Sequence, residues 1–200
     1  VKKFLFDKGF WKDNNLILVA RENEFSVQSK NNKEFIVSLK IHGTQPIDVG
    51  LDSTISKKIG KGKHASYEIK LTEDLSTNLY LVSMGNPHGV CWEEVDEGIR
   101  LNQIFELINA TKAFQNDINI EFCKKESKKA LSLRVFERGV GETEACGSGA
   151  CAAVVSGILN GFLSANEVIE VKMRQGSLFV KWDGDLLSPV LLSGPATTVF

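Results

Sequence analysis

The densest run of chemistry-bearing residues is Glu137-Arg138-Gly139-Val140-Gly141-Glu142-Thr143-Glu144-Ala145-Cys146-Gly147-Ser148-Gly149-Ala150-Cys151. Gly147 and Gly149 let the backbone turn sharply and approach a ligand closely. A helix starting here presents free N–H groups and the positive end of its dipole, which suits a carboxylate or a phosphate. The same field lowers the pKa of a nearby thiol, so Cys146 is expected to be partly thiolate. A thiolate beside an anion cradle serves covalent attack, or removal of a proton next to a bound carboxylate. Glu137 and Arg138 end a predicted strand just before this loop. An adjacent acid and base can receive an ammonium and a carboxylate together, the arginine through two hydrogen bonds.

A second group is Gly85-Asn86-Pro87-His88-Gly89, read as a loop interrupting an apolar strand. Asn86 and His88 bring polar groups there, and His88 is a candidate proton partner for a thiol. Asn119 is a polar residue in the extended apolar run Ile118–Phe122. Cys151 lies within the apolar helix, and Cys91 and Cys123 lie on strands, so all three read as core. The four cysteines show no metal-type pairing such as C-x-x-C, and no metal site is expected. His42 and His64 read as surface residues. Each feature also has a plain structural explanation: a buried thiol at a glycine-rich helix start, an ordinary loop, a surface ion pair.

The elements that must position these groups follow from periodicity. Val1–Phe10 reads as a helix end closed by Gly9. Strands are predicted at 16–20, 25–28, 34–41, 66–71, 78–84, 90–92, 118–122, 131–136, 168–173, 178–182 and 190–192, with a turn at Glu22–Glu24. Leu79 and Leu81 alternate with Tyr80 and Val82, which suggests burial on both faces. Helical spacing of Leu101, Ile104, Phe105 and Ile108 predicts an amphipathic helix at about 99–114. Gly147–Gly161 brackets a helix apolar on all sides, the kind that forms the centre of a core. Gly43–Asp52 is a turn-rich crossing and the best candidate for a boundary. Many strands with few helices indicate an α+β fold and not a βαβ repeat. Val1–Gln28 and Ala153–Lys181 share one pattern of helix, glycine stop, strand, turn and strand, at an offset of 152 with one gap: Gly9 falls on Gly161, Phe10 on Phe162, Leu16-Ile17 on Val168-Ile169 and Val19 on Val171.

Composition narrows the classes. The 200 residues hold 24 Lys+Arg against 25 Asp+Glu, a formal charge of −1 that argues against a nucleic-acid or anionic-membrane binder. Four cysteines are too few for a disulfide scaffold and point to a reducing, cytoplasmic setting. Ala145–Asn166 carries no charged residue, but its many glycines, serines and asparagines make a poor membrane helix.

Taken together, Met84–His88, Asn119-Ile120-Glu121-Phe122, Phe136–Gly139, Glu142–Ala152 and the closing Leu191–Ala196, in this order, resemble the diaminopimelate epimerase family. The resemblance implies two pseudo-symmetric lobes, each a curved, mainly antiparallel sheet around a central helix. It would divide the chain into 1–46, a remnant of the first lobe; 47–191, an intact second lobe carrying Cys146; and 192–200, a strand returning to the first. It implies inversion of one α-carbon of LL-diaminopimelate to the meso form by two cysteines on opposite faces, without pyridoxal phosphate or any other cofactor. Cys146 would be one of the pair, with His88 and Glu137 tuning the thiols. Asn86, Asn119, Glu137, Arg138, Gly147 and Ser148 would bind substrate. The family's first catalytic motif, a Cys-Gly-Asn-Gly loop, is not in these 200 residues, so this chain alone is expected to be inactive. The partner expected is a small molecule, neither nucleic acid nor membrane, and the resemblance leaves room for a homodimer. Two other readings stay open: a related racemase of the proline racemase class, and a non-catalytic amino-acid-binding fragment.

Overall fold

The structure, a computed structural model, describes residues 2–11, 13, 15–20, 23–30, 33–60, 64–92 and 100–196. Val1, residues 197–200 and Glu22 of the turn expected at Glu22–Glu24 lie outside the described residues; Asn23 and Glu24 are paired strand residues and not part of a turn. In chain order the elements are α1 (Lys2–Asp7), β1 (Asn15–Ala20), β2 (Asn23–Ser29), β3 (Glu34–Leu39), α2 (Pro46–Val49), β4 (Ser56–Ile59), β5 (Ser66–Lys70), β6 (Ser76–Ser83), β7 (Pro87–Cys91), α3 (Leu101–Ala110), β8 (Asn119–Ser127), β9 (Ala130–Glu137), β10 (Gly141–Thr143), α4 (Gly147–Leu159), β11 (Val168–Met173), β12 (Gly176–Lys181) and β13 (Val190–Pro195).

The strands follow one path, β1-β2-β3-β13-β12-β11-β9-β8-β7-β6-β5-β4, with β10 paired to β9. Pairing is antiparallel except at β7–β8 and β9–β11. Each parallel pair is bridged by a helix, α3 and α4 respectively, so the predominantly antiparallel α+β sheet contains two crossover units.

Strand alternation divides the apolar residues between two cores. Val82, Val90, Cys123, Leu133 and Val135 pack with α4. Leu79, Leu81, Cys91, Ile120, Phe122 and Phe136 pack with Ile104, Phe105 and Ile108 of α3. Strands β6–β9 therefore lie between the two helices, and the double-sided burial expected of Leu79–Val82 is realised, Tyr80 packing half-buried on the α4 side.

The repeated unit is present in the backbone. Gly9 and Gly161 close α1 and α4 with the same left-handed φ of 71°. The closing bonds match too: Phe10 N–H to Leu5 O in one, Phe162 N–H to Gly157 O in the other. The hairpins end at Ala20↔Asn23 and Met173↔Gly176, so the helices superpose at an offset of 152 and the strands at 153. Leu16 thus corresponds to buried Ile169 and not to Val168, which is 53% exposed.

Two expectations change. The turn-rich crossing at 43–52 contains the single helical turn α2, with Pro46 in its first turn and the Gln45 N–H bonded to the Asp48 carboxylate at 2.8 Å. The loop expected at Gly85–Gly89 is shorter: Pro87, His88 and Gly89 already belong to β7 and pair with Ser83, Val82 and Leu81. Pro87 fits there because it is the first residue of its strand.

Candidate active site

Cys146 is the N-cap of α4, and its sulfur accepts the Gly149 N–H at 3.4 Å. The Ala150 N–H bonds to the Cys146 carbonyl at 2.9 Å. The N–H groups of Gly147 and Ser148 belong to the same first turn, which has no acceptor within a helix. Both glycines lie against other structure. A Cβ on Gly147 would sit 2.9 Å from Leu192, and one on Gly149 2.8 Å from the Glu121 carboxylate.

A tight turn at Met84–Asn86, with Gly85 at φ 95°, delivers Asn86 to this helix start. The Asn86 amide donates to the Ser148 hydroxyl at 3.3 Å, and that hydroxyl lies 3.5 Å from the Cys146 sulfur. On the other side, Asn86 Oδ1 is 3.0 Å from His88 Nε2. His88 therefore reaches Cys146 through Asn86 and Ser148 and not directly. Its Nδ1 lies 2.7 Å from Glu121 Oε1, with both side chains fully buried.

The β7–β8 register sets His88 beside Asn119. Asn119 is buried and accepts the Arg138 backbone N–H at 3.1 Å. Glu137 and Arg138 point to different partners. The Glu137 carboxylate accepts the Thr143 hydroxyl at 2.7 Å, while the exposed Arg138 lines an open polar hollow with Gln115, Asn116, Asp117 and Gly139.

The electrostatics revise one expectation. Burial pushes the Cys146 thiol up; the Ser148 hydroxyl and Gly149 N–H pull it down, and Glu121 and Glu137 push it up again. The net direction is upward, because a sulfur enclosed by α4 and its neighbours loses more hydration than two donors restore. Burial thus favours the thiol over the thiolate at Cys146. Burial also raises Cys123 and Cys151 well above the ordinary thiol range. With Cys91 they are core residues.

Glu121 was not singled out for a role in the sequence. The signal was present: an acidic residue between Ile120 and Phe122, two positions after Asn119 and so on the same face of its strand. Thr143, the partner of Glu137, carried no such signal.

Among the described residues, no group of three or more His, Cys, Asp or Glu could hold a metal ion, and no helix is long and apolar enough to cross a membrane.

Residues 80–199 match the family model described as diaminopimelate epimerase. A diaminopimelate epimerase of Neisseria meningitidis is 34% identical over 207 aligned residues, covering 99% of this chain and 68% of the relative. The chain belongs to the diaminopimelate epimerase family. A diaminopimelate epimerase of Laribacter hongkongensis is 47% identical over 120 residues, covering 60% of this chain and 43% of its own length. The chain thus spans about two thirds of the first relative and less than half of the second. Among solved structures, a probable proline racemase from Agrobacterium radiobacter K84, with bound carbonate, superposes with a TM-score of 0.59 at 12% identity, over all of this chain and 66% of its own. A hydroxyproline epimerase from Agrobacterium vitis, with bound trans-4-hydroxy-L-proline, gives 0.59 at 10% identity, over all of this chain and 63% of its own. These two share the family member's fold.

Proposed function

We propose that this chain supplies one face of a cofactor-independent epimerase site acting on diaminopimelate, with Cys146 as the acid/base on that face. The observation that carries the reading is the placing of the Cys146 thiol at the start of α4, beside two backbone N–H groups with no helical acceptor. Those of Gly147 and Ser148 would hold the carboxylate of the reacting centre and stabilise charge as it develops there.

The steps balance with two thiols. A thiolate on the opposite face takes the α-proton, and the electron pair moves into the bound carboxylate. Cys146 then gives its S–H proton to the other face of the carbon and is left as thiolate. Burial suits Cys146 to start as the acid. The other cysteines of the chain, Cys91, Cys123 and Cys151, are buried in the cores. The opposing thiol is therefore assigned to a segment outside these 200 residues, and the chain by itself is expected not to turn over. In the same reading 1–46 and 192–200 belong to one lobe and 47–191 to the other, β13 pairing with both β3 and β12.

Asn86, Asn119, Glu137 and Arg138 would bind the distal amino-acid end. The polar hollow beside Arg138 suits a second zwitterion, which a proline-type substrate lacks. This favours diaminopimelate over a substrate of the proline racemase class.

The test is α-proton exchange and epimerisation of LL-diaminopimelate in D₂O under reducing conditions. It compares this chain with a form extended by the family's preceding segment. Turnover only in the extended form, abolished by Cys146→Ala, is the expected result. Exchange unaffected by Cys146→Ala would overturn the assignment. Binding of diaminopimelate without exchange in the extended form would make this an amino-acid-binding module.

A further inference from the structure

Glu121 is the most enclosed acid in the described structure, and the mechanism above gives it no task. Its side chain has no solvent exposure, Oε1 is 2.7 Å from His88 Nδ1, and Oε2 has no hydrogen-bond partner. The direction of each bond leading away from it can be derived. The Asn86 amide nitrogen donates to Ser148, so Asn86 Oδ1 is the atom facing His88 Nε2, and Nε2 must carry a hydrogen. A hydrogen must also lie between Nδ1 and Glu121 Oε1. Two arrangements satisfy this: an imidazolium facing a carboxylate, or a neutral imidazole accepting from a carboxylic acid.

The surroundings select the second. A carboxylate has about four acceptor sites to satisfy, and here one whole oxygen meets no donor. Burial raises the Glu121 carboxyl, opposed by His88 and reinforced by Glu137. A neutral acid also removes a negative charge that would work against the Cys146 thiolate. The remaining titratable groups facing it are Cys123 from its own strand, Glu137 from the end of β9, and Cys146 from α4.

We propose that Glu121 is a positioning residue: as a neutral acid it heads a one-directional hydrogen-bond chain, Glu121 to His88 to Asn86 to Ser148 to the Cys146 sulfur. Glu121 Oε1–H donates to Nδ1, Nε2–H to Asn86 Oδ1, Nδ2–H to Ser148 Oγ, and Oγ–H to sulfur. Ser148 already accepts from Asn86, so its own hydrogen is left for the thiolate that forms once Cys146 has given up its proton. Glu121 locks the His88 tautomer on which the order of the whole chain depends. The inference rests on the acid/base role proposed for Cys146 and names the residue that orients its support.

The test is site-resolved alkylation of the native 200-residue chain by iodoacetamide across pH, with each cysteine followed by mass spectrometry. In the unaltered chain Cys146 reacts and Cys91, Cys123 and Cys151 are protected. Glu121→Leu is expected to slow alkylation of Cys146 about 3- to 10-fold below its thiol pKa and move its pH profile upward. Glu121→Gln can still donate from its amide to Nδ1 and is expected to restore the original profile. A Gln variant shifted as far as the Leu variant would overturn the neutral-donor assignment, and an unshifted Leu variant would remove Glu121 from the chain. Nitrogen NMR of His88 in the unaltered protein tests the tautomer without any variant. A neutral ring with hydrogen on Nε2 near neutral pH is expected, and an imidazolium would overturn the proposal. If Cys146 is as unreactive as Cys91 in the unaltered chain, the proposed function fails at its thiol, whatever Glu121 does.

Discussion

Gly149→Ala places one methyl group against the buried pair of Glu121 and His88. The new Cβ would lie 2.8 Å from Glu121 Oε1 and 3.4 Å from the Cys146 sulfur. On an open helix the same change is favourable by roughly 0.5–1 kcal/mol, since alanine loses less backbone entropy. Here the carboxyl must withdraw by several tenths of an ångström. It is fully enclosed, and moving it breaks a 2.7 Å hydrogen bond between two buried groups. Leaving such groups unpaired costs about 1–3 kcal/mol. The balance is a net loss of about 1–2 kcal/mol, which for a chain of this size lowers Tm by roughly 3–6 °C. Urea unfolding of four proteins decides it: the unaltered chain, Gly149→Ala, Glu121→Ala and the double variant. Once Glu121 is shortened the methyl has room, so Gly149→Ala should be neutral or stabilising in that background. A stabilised Gly149→Ala single variant, or the same loss in both backgrounds, would refute the steric coupling.

Two further predictions follow from the same network. Ser148→Ala removes the hydroxyl that lies 3.5 Å from the thiol and should slow iodoacetamide alkylation of Cys146 by about 3-fold at fixed pH, read by mass spectrometry. The Glu121 carboxyl is raised in the fold above its ordinary 4.5, so the folded chain holds a proton there that the unfolded chain releases. Its contribution to stability is complete below about pH 4.5 and is lost as pH rises through the folded value. Urea midpoints against pH should therefore fall for the unaltered chain relative to Glu121→Gln, and parallel curves would count against the raised carboxyl.

Much of this arrangement is legible in the residues themselves. The uncharged stretch from Gly147 announces α4, because no polar face is left to meet water. Alternation in Leu79–Val82 announces a strand buried on both sides. Three features were not legible, each for a physical reason. Strand β4, Ser-Lys-Lys-Ile, has no apolar alternation because it is an edge strand paired only with β5, and lysines are what such edges tolerate. Pro87 and Gly89 look like a loop, yet Gly89 is a strand residue whose missing side chain makes room: a Cβ there would lie 3.1 Å from Ile120 and Leu79. The offset of 152 that aligns the two helices sets Leu16 on exposed Val168; burial alternates with a period of two, so the one gap must fall before β1 is matched to β11. At the site, residue types and loop order pointed to Cys146, Asn86 and His88. The bonds joining them are long-range: Ser148 meets Asn86 from 62 positions away and Glu121 meets His88 from 33, separations that no local pattern encodes.

The place of β13 bears on how the chain is made. This strand inserts between β3 and β12, pairing Val190 with Leu39 and Pro195 with Glu34, about 150 residues apart in sequence. During synthesis β1–β3 emerge early, yet the inner edge of β3 has no partner until residues 190–195 have followed. At roughly 5–20 residues per second the wait is on the order of ten to thirty seconds. Throughout it, a nascent three-stranded meander presents an open ladder beside Phe35 and Leu39, side chains that the finished protein buries. Mispairing with another chain is most open there, and mutations that slow translation downstream of β3 would act on yield without touching a residue of the site.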